Sequence, residues 1–220
     1  PPPPPPPFQA EDGIRDECTS LVGSEMCIRD SDKTVESFMS RYSVDEEQVE
    51  RVKGAALTAC DKIADGMFLR PVHRQLLGWA ADLHETGLSV SHSQYQLHSG
   101  YLVENSDMPG FTRQEQQFLA ALVRYHRRGI PRGFADKLPS RMHEPLRMTL
   151  MCLRIACILC RSRDDAAIPA FRLSGTDDTM TIGLPLEWAA AHPLTVFDLQ
   201  QETKDLKSIG LQFQVDTGEQ

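Results

Sequence analysis

His84 and Glu85 stand side by side in "LLGWAADLHETG", and His92 and His98 follow shortly after. A neutral imidazole and a carboxylate are both ligands for a divalent ion, and such an ion can activate water. One adjacent pair supplies only two donors, so a hydrolytic centre would need further ligands from elsewhere in the chain. His92 and His98 do not supply them, because six positions apart they miss the three- and four-residue spacings that share a helix face. They read as a solvated rim.

A second constellation is electrostatic. The run "RYHRRGIPRGFADKLPSRMHEPLR" carries Arg124, Arg127, Arg128, Arg132, Lys137, Arg141 and Arg147 against only Asp136 and Glu144. Rows of arginine bind polyanions with strong, salt-dependent and sequence-blind affinity. Arg161 and Arg163, in "RSR", extend the same charge. The structural alternative is that arginines near a helix end complement its dipole. Tyr125 and Phe134 are the only local aromatics, too few to stack successive bases, so specific nucleic-acid recognition is not expected.

Two other signals carry no chemistry. Cys157 and Cys160 form a C-x-x-C, but no second pair or nearby histidine completes a zinc set. With Cys152 they lie on the apolar run "MTLMCLRIACILC", where a thiol packs as a small hydrophobe. The "DTG" at Asp216 is a single copy at the end of the chain.

These residues are positioned mostly by helices. "SVDEEQVERVKGAALTACDKIADG" has a capping box of Ser43 and Glu46, a buried stripe through Val49, Val52, Ala56 and Ile63, and a stop at Gly66. The next helix runs through "PVHRQLLGWAADLHETG", with Pro71 in its first turn and Gly87 past its end. "QYQLHSGYLVENSD" ends before Pro109, and Thr112 with Glu115 caps "TRQEQQFLAALVRYHRRG". "EPLRMTLMCLRIACILCRSR" is long, apolar and central. From Ile168 the pattern changes: "AFRLSG" and "TMTIGL" alternate as a hairpin turning at "GTDD", two helices follow, and "LQFQVD" is a final strand. The fold class is mainly α within α+β: a helical bundle followed by a small antiparallel sheet with helices.

Residues 1–31 are set apart. Seven prolines open the chain, and "QAEDGIRD" and "LVGSEMCIRDS" resemble translated sequencing-library adaptors. The segment has neither helical nor strand periodicity and lacks the form of a signal peptide. It reads as artefactual or disordered. The full chain has 31 acids and 23 bases; without this segment's six acids and two bases, the net charge is −4. Mild acidity argues against general adhesion to nucleic acid. Cys60, Cys152, Cys157 and Cys160 remain, a usage suited to a reducing compartment. No apolar run reaches the roughly 20 residues needed to span a bilayer. The organisation is then 1–31 set aside, a helical domain over 32–167 and a small α+β subdomain over 168–220.

With the helices placed, "WAADLHETGLSVSHSQYQLHSGYLVENSDMPGF" followed by "QEQQFLAALVRYHRR" resembles the C-terminal region of bacterial exopolyphosphatases and their guanosine pentaphosphate phosphohydrolase relatives. The resemblance extends from about Arg41 to Val215, and the wording "SHSQYQLHSGYLVENSDMPGF" looks closer to exopolyphosphatase. It implies an HD-type helical domain. Active HD sites take metal ligands from a first His, an adjacent His-Asp pair and a distant Asp. Here those positions fall on Gln48, His84, Glu85 and Cys157. Only His84 clearly survives, so the resemblance implies a degenerate site with neither metal nor catalysis of its own.

In the same family, two actin-like domains precede this region and hydrolyse terminal phosphates with Mg²⁺. No glycine-rich phosphate loop is found in this chain, which reads as the C-terminal part of such an enzyme, inactive alone. The implied partner is inorganic polyphosphate, guided along Arg124, Arg127, Arg128, Arg132 and Arg141, with a second copy of the chain in a homodimer. The pentaphosphate relative and a self-sufficient HD phosphohydrolase are the alternatives. The implied location is cytoplasmic, peripheral attachment to the inner membrane being the variant of it.

Overall fold

The structure, a computed structural model, describes residues 21–63, 69–163, 168–176 and 178–218. In chain order the elements are α1 (Leu21–Arg41), α2 (Glu46–Ile63), α3 (Pro71–Leu83), α4 (Tyr95–Asn105), α5 (Arg113–Tyr125), α6 (His143–Leu159), β1 (Arg172–Gly175), β2 (Thr179–Gly183), α7 (Leu186–Ala191), α8 (Pro193–Lys207) and β3 (Gln212–Asp216). Short 3-10 turns at Thr86–Ser89 and Ser140–Met142 precede α4 and α6. The mainly helical class with a small sheet is the one expected.

The core is built around α6, whose residues from Met148 to Ala156 are all buried. A helix apolar on every side must sit at the centre. α2 and α3 pack against it and each other, α5 touches its edge, and α8 holds its far side. Each fully buried Leu or Met contributes about 1.5–3 kcal/mol of transfer free energy. Arg154 interrupts this apolar run yet has no exposed side-chain surface. Its guanidinium donates to Glu202 at 2.6 and 2.9 Å, to Asp205 at 2.9 Å, and to the carbonyls of Tyr125 and Arg128 at 2.6 and 2.8 Å. A buried charge persists only when paired in this way.

Three local expectations are revised. α2 is capped by Asp45, whose Oδ1 accepts the Gln48 amide at 3.1 Å, whereas Ser43 sits in the left-handed region at φ 49°. The chain turns once more after Ser43, so the capping oxygen belongs to the residue next to the helix. The sheet, ordered β1-β2-β3, is mixed rather than antiparallel. β1 and β2 form the expected hairpin, Leu173 opposite Ile182, but β3 runs parallel to β2 with Phe213 beside Met180. The α7–α8 connection carries the chain back to the start of β2 before β3 begins, as parallel neighbours require. Part of the segment set aside is helical: α1 begins at Leu21, and Ser31 is buried with its Oγ donating to the Gly110 carbonyl at 2.9 Å. Residues 1–20 and the stop assigned to Gly66 lie outside the described residues.

The Thr112–Glu115 capping box is present as predicted, with Glu115 N donating to Thr112 Oγ1 at 3.2 Å and Thr112 N to Glu115 Oε2 at 2.8 Å. Among the described residues, no helix is long and apolar enough to cross a membrane.

Candidate functional site

α3 ends at Leu83, and His84 forms its C-cap. The next turn is fixed by Ser99 of α4, whose Oγ accepts the Gly87 amide at 2.7 Å and donates to the His84 carbonyl at 3.0 Å. Gly87 is required here, because a Cβ would collide with the Tyr95 carbonyl and the Ser99 amide. His84 and Glu85 are therefore presented side by side by a rigid turn.

That turn forms one wall of an open cleft of about 440 Å³ lined by Gln48, His84, Glu85, Leu88, His92, Tyr95, Arg127, Cys157, Arg161 and Arg163. A neighbouring lobe of about 300 Å³ shares Tyr95, Arg127, Cys157 and Arg161 and adds His126, Arg128, Ile158, Asp198, Gln201 and Glu202. The structure thus gathers Gln48, His84, Glu85 and Cys157, from three separate helices and a turn, around one space. His92, exposed, stands at its rim as expected.

The donor set does not fit a catalytic metal. Gln48 donates Nε2 to the Cys160 carbonyl at 2.9 Å, and its Oε1 faces Arg51 at 3.4 Å. Burial pushes the Cys157 thiol far up, so it stays protonated at neutral pH. Glu85 Oε1 is bound by Arg163, which also reaches Asp45 at 2.8 Å. A guanidinium thus already holds the carboxylate a metal would need. His84 Nδ1 lies 2.7 Å from the Ala81 carbonyl, which makes Nδ1 the protonated nitrogen, while Nε2 is 3.9 Å from Glu85. Among the described residues, no three of His, Cys, Asp and Glu are grouped to hold an ion.

Behind His84 lies His126, its ring edge-on at 5.3 Å. His126 Nδ1 lies 2.7 Å from the Val123 carbonyl, with Tyr95 Oη 3.4 Å from Nε2. Burial, and then the neighbouring His84, hold the His126 imidazole well below its ordinary pKa. Burial likewise lowers His84. Both rings are neutral at physiological pH and brace the cleft floor.

The basic residues divide. Arg127 and Arg128 line the cleft, with Arg127 stacked 4.8 Å over the Tyr95 ring and Arg128 in the left-handed region at φ 66°. Arg154 holds the Arg128 carbonyl, so the turn that carries both arginines is anchored from the core. Arg161 and Arg163 approach from the end of α6. Arg124 instead faces a separate cavity and pairs with Glu104 at 3.1 Å, while exposed Arg141 donates to Gln114 at 2.9 Å. Arg132 is exposed on the loop after α5. Of the five arginines expected in one row, Arg127 and Arg128 line the cleft together with Arg161 and Arg163, and Arg124 lines the separate cavity.

Tyr95, His126, Asp198, Gln201 and Glu202 were not foreseen at the site. One signal was available: Arg154 amid "MCLRIACILC" must be paired if buried, and its carboxylate partners lie on α8.

Fold and site define a helical domain with an arginine-lined cleft in which His84 and Glu85 form one wall. Residues 28–203 match the family described as Ppx/GppA phosphatase, domain III, and the chain belongs to that family. It is 33% identical over 180 residues to the guanosine-5'-triphosphate,3'-diphosphate pyrophosphatase of Pseudoalteromonas translucida, covering 81% of this chain and 36% of that protein. Proteins of the same name from Aeromonas hydrophila and Aeromonas salmonicida are 31% and 30% identical over 191 residues, covering 86% of this chain and 38% of each. The chain thus spans little more than a third of the length of these relatives, and its family is one of hydrolases.

Proposed function

We propose that this chain is the substrate-holding, non-catalytic C-terminal domain of a Ppx/GppA phosphatase, with the cleft as its phosphate-chain site. The observation that supports this best is the convergence of Arg127, Arg128, Arg161 and Arg163 on one cleft. A phosphoanhydride chain laid there is neutralised by guanidinium groups that are already oriented. The cleft binds and orients; the hydrolytic chemistry, with its Mg²⁺, belongs to the actin-like domains that the resemblance implies. The HD-like scaffold persists in this reading as a binding frame, and two copies of the domain pair in the assembled enzyme.

Inorganic polyphosphate is the first candidate ligand, since sequence-blind arginine contacts suit a uniform anion. A second reading, guanosine pentaphosphate, is favoured by the names of the three relatives. Fusing this chain to the remaining part of the Pseudoalteromonas relative should yield release of orthophosphate from one or both substrates. The chain alone should release none, and turnover by it would defeat the reading.

A further inference from the structure

We propose that the cavity between α4, α5 and the loop before α6 binds a small aromatic carboxylate, held by Arg124 and Lys137. This cavity is separate from the arginine-lined cleft, and the inference does not rest on the phosphate reading. About 420 Å³ is open there, within the range of small-ligand sites. The space exists because α5 presents only the small side chains of Ala120 and Ala121 to it. Tyr101, Tyr125 and Phe134 wall it, with Tyr125 and Phe134 edge-on at 6.3 Å. Tyr101 is 61% exposed, so a planar ligand finds an uncovered ring to pack against.

The rim sets the charge of the ligand. Arg124 donates to Glu104 Oε2 at 3.1 Å, and Lys137 donates to the other oxygen. The Lys137 hydrogen bond, first of all, holds the Glu104 carboxyl below its ordinary pKa. Glu104 is therefore ionised, and the two cations Arg124 and Lys137 against this one anion leave the cavity lining at +1. Each oxygen of Glu104 is already bonded, whereas the donors are not exhausted: a guanidinium carries five N–H groups and an ammonium three. Among the described residues, neither Arg124 nor Lys137 has another hydrogen-bond partner. A single carboxylate accepts from these donors and balances the charge, while its ring lies between the aromatic walls. A phosphate chain, with one charge per phosphate, exceeds what this rim neutralises.

The test is calorimetric titration of this chain with naphthoate, with naphthylmethylammonium, which keeps the rings and reverses the charge, and with acetate, which keeps the charge alone. Naphthoate is expected to bind about tenfold or more tightly than either, the loss typical of one charge-assisted hydrogen bond. The Lys137 side chain is 69% exposed, so Lys137→Ala should leave the melting temperature unchanged while lowering naphthoate affinity about tenfold. Glu104→Gln should raise that affinity, and saturating tripolyphosphate should not displace naphthoate. Equal affinity for the three ligands, no binding of naphthoate, or an affinity untouched by Lys137→Ala overturns the proposal. Displacement by tripolyphosphate also overturns it, because naphthoate would then occupy the arginine-lined cleft.

Discussion

Arg163 and Glu85, 78 positions apart in the chain, are bound to each other at the edge of the cleft, and Asp45 holds the other arm of the same guanidinium at 2.8 Å. The carboxylate next to His84 therefore serves an arginine rather than an ion. Its second oxygen, Oε2, is buried and makes no hydrogen bond among the described residues. In a cleft that binds phosphates, this charge opposes the ligand.

Glu85→Gln should accordingly strengthen phosphate binding. At low salt the gain is expected to be roughly twofold to fivefold, shrinking as the Debye length falls. Titration with tripolyphosphate at low and high salt checks it. A hydrolytic metal site predicts the opposite, a loss of bound metal and of turnover on the same substitution.

Arg154 anchors the cleft from within. Replacing it by alanine leaves Glu202 as an uncompensated buried carboxylate, and burial already raises that carboxyl above its ordinary pKa. The expected loss is about 3–5 kcal/mol of stability, as for other broken buried pairs. The denaturant midpoint measures it, and a change below about 1 kcal/mol would show that the network contributes little.

The helices were legible because their signals are local. The Thr112–Glu115 box, Pro71 at a first turn and the apolar run of α6 each act within a few residues. The gathering of Gln48, His84, Glu85 and Cys157 followed from the family resemblance, and the "RSR" pair followed from charge alone. What stayed hidden depends on tertiary contact. Nothing in the sequence near Arg124 shows that Glu104, 20 positions earlier, will hold it away from the cleft. Asp198 and Glu202 come to the site only because α8 docks on α6 through Arg154. The direction of β3 likewise depends on how α7 and α8 pack, which no strand pattern encodes.

Acid should weaken the fold. Burial first of all holds the imidazoles of His73, His84 and His126 below their ordinary pKa. Unfolded imidazoles take up protons from about pH 6.5 downward. The unfolded state then binds more protons, so the stability present above that pH is lost as the pH falls through the folded values. Each histidine contributes up to about 1.4 kcal/mol per pH unit in that window. Asp82 and Glu202, whose carboxyls burial raises, act in the opposite sense at lower pH. The melting temperature should drop between pH 7.5 and 5.5; a flat or rising profile would contradict the neutral, buried histidines.

Gly87→Ala should loosen the turn that presents His84. The added Cβ meets the Tyr95 carbonyl and the Ser99 amide, so α4 must shift. The cost is expected at about 1–3 kcal/mol, typical of overpacking. Phosphate affinity should fall with it, because Tyr95 begins α4 and supports Arg127. Thermal melting and tripolyphosphate titration of the same variant check both parts.

The central claim is that arginines converging on one cleft hold a phosphate chain, and the salt dependence of polyphosphate binding tests it most directly. Arg127 and Arg161 line both lobes, so Arg127→Ala with Arg161→Ala removes two contacts from the middle of the path. Wild-type affinity should fall steeply with salt, and the double variant should bind more weakly with a slope shallower by about two units at most. Its melting temperature should barely change, since such partly exposed arginines each contribute about 0–1 kcal/mol to folding. An unchanged affinity and slope, with a lowered melting temperature, would contradict the account and leave these arginines as helix-end and turn residues.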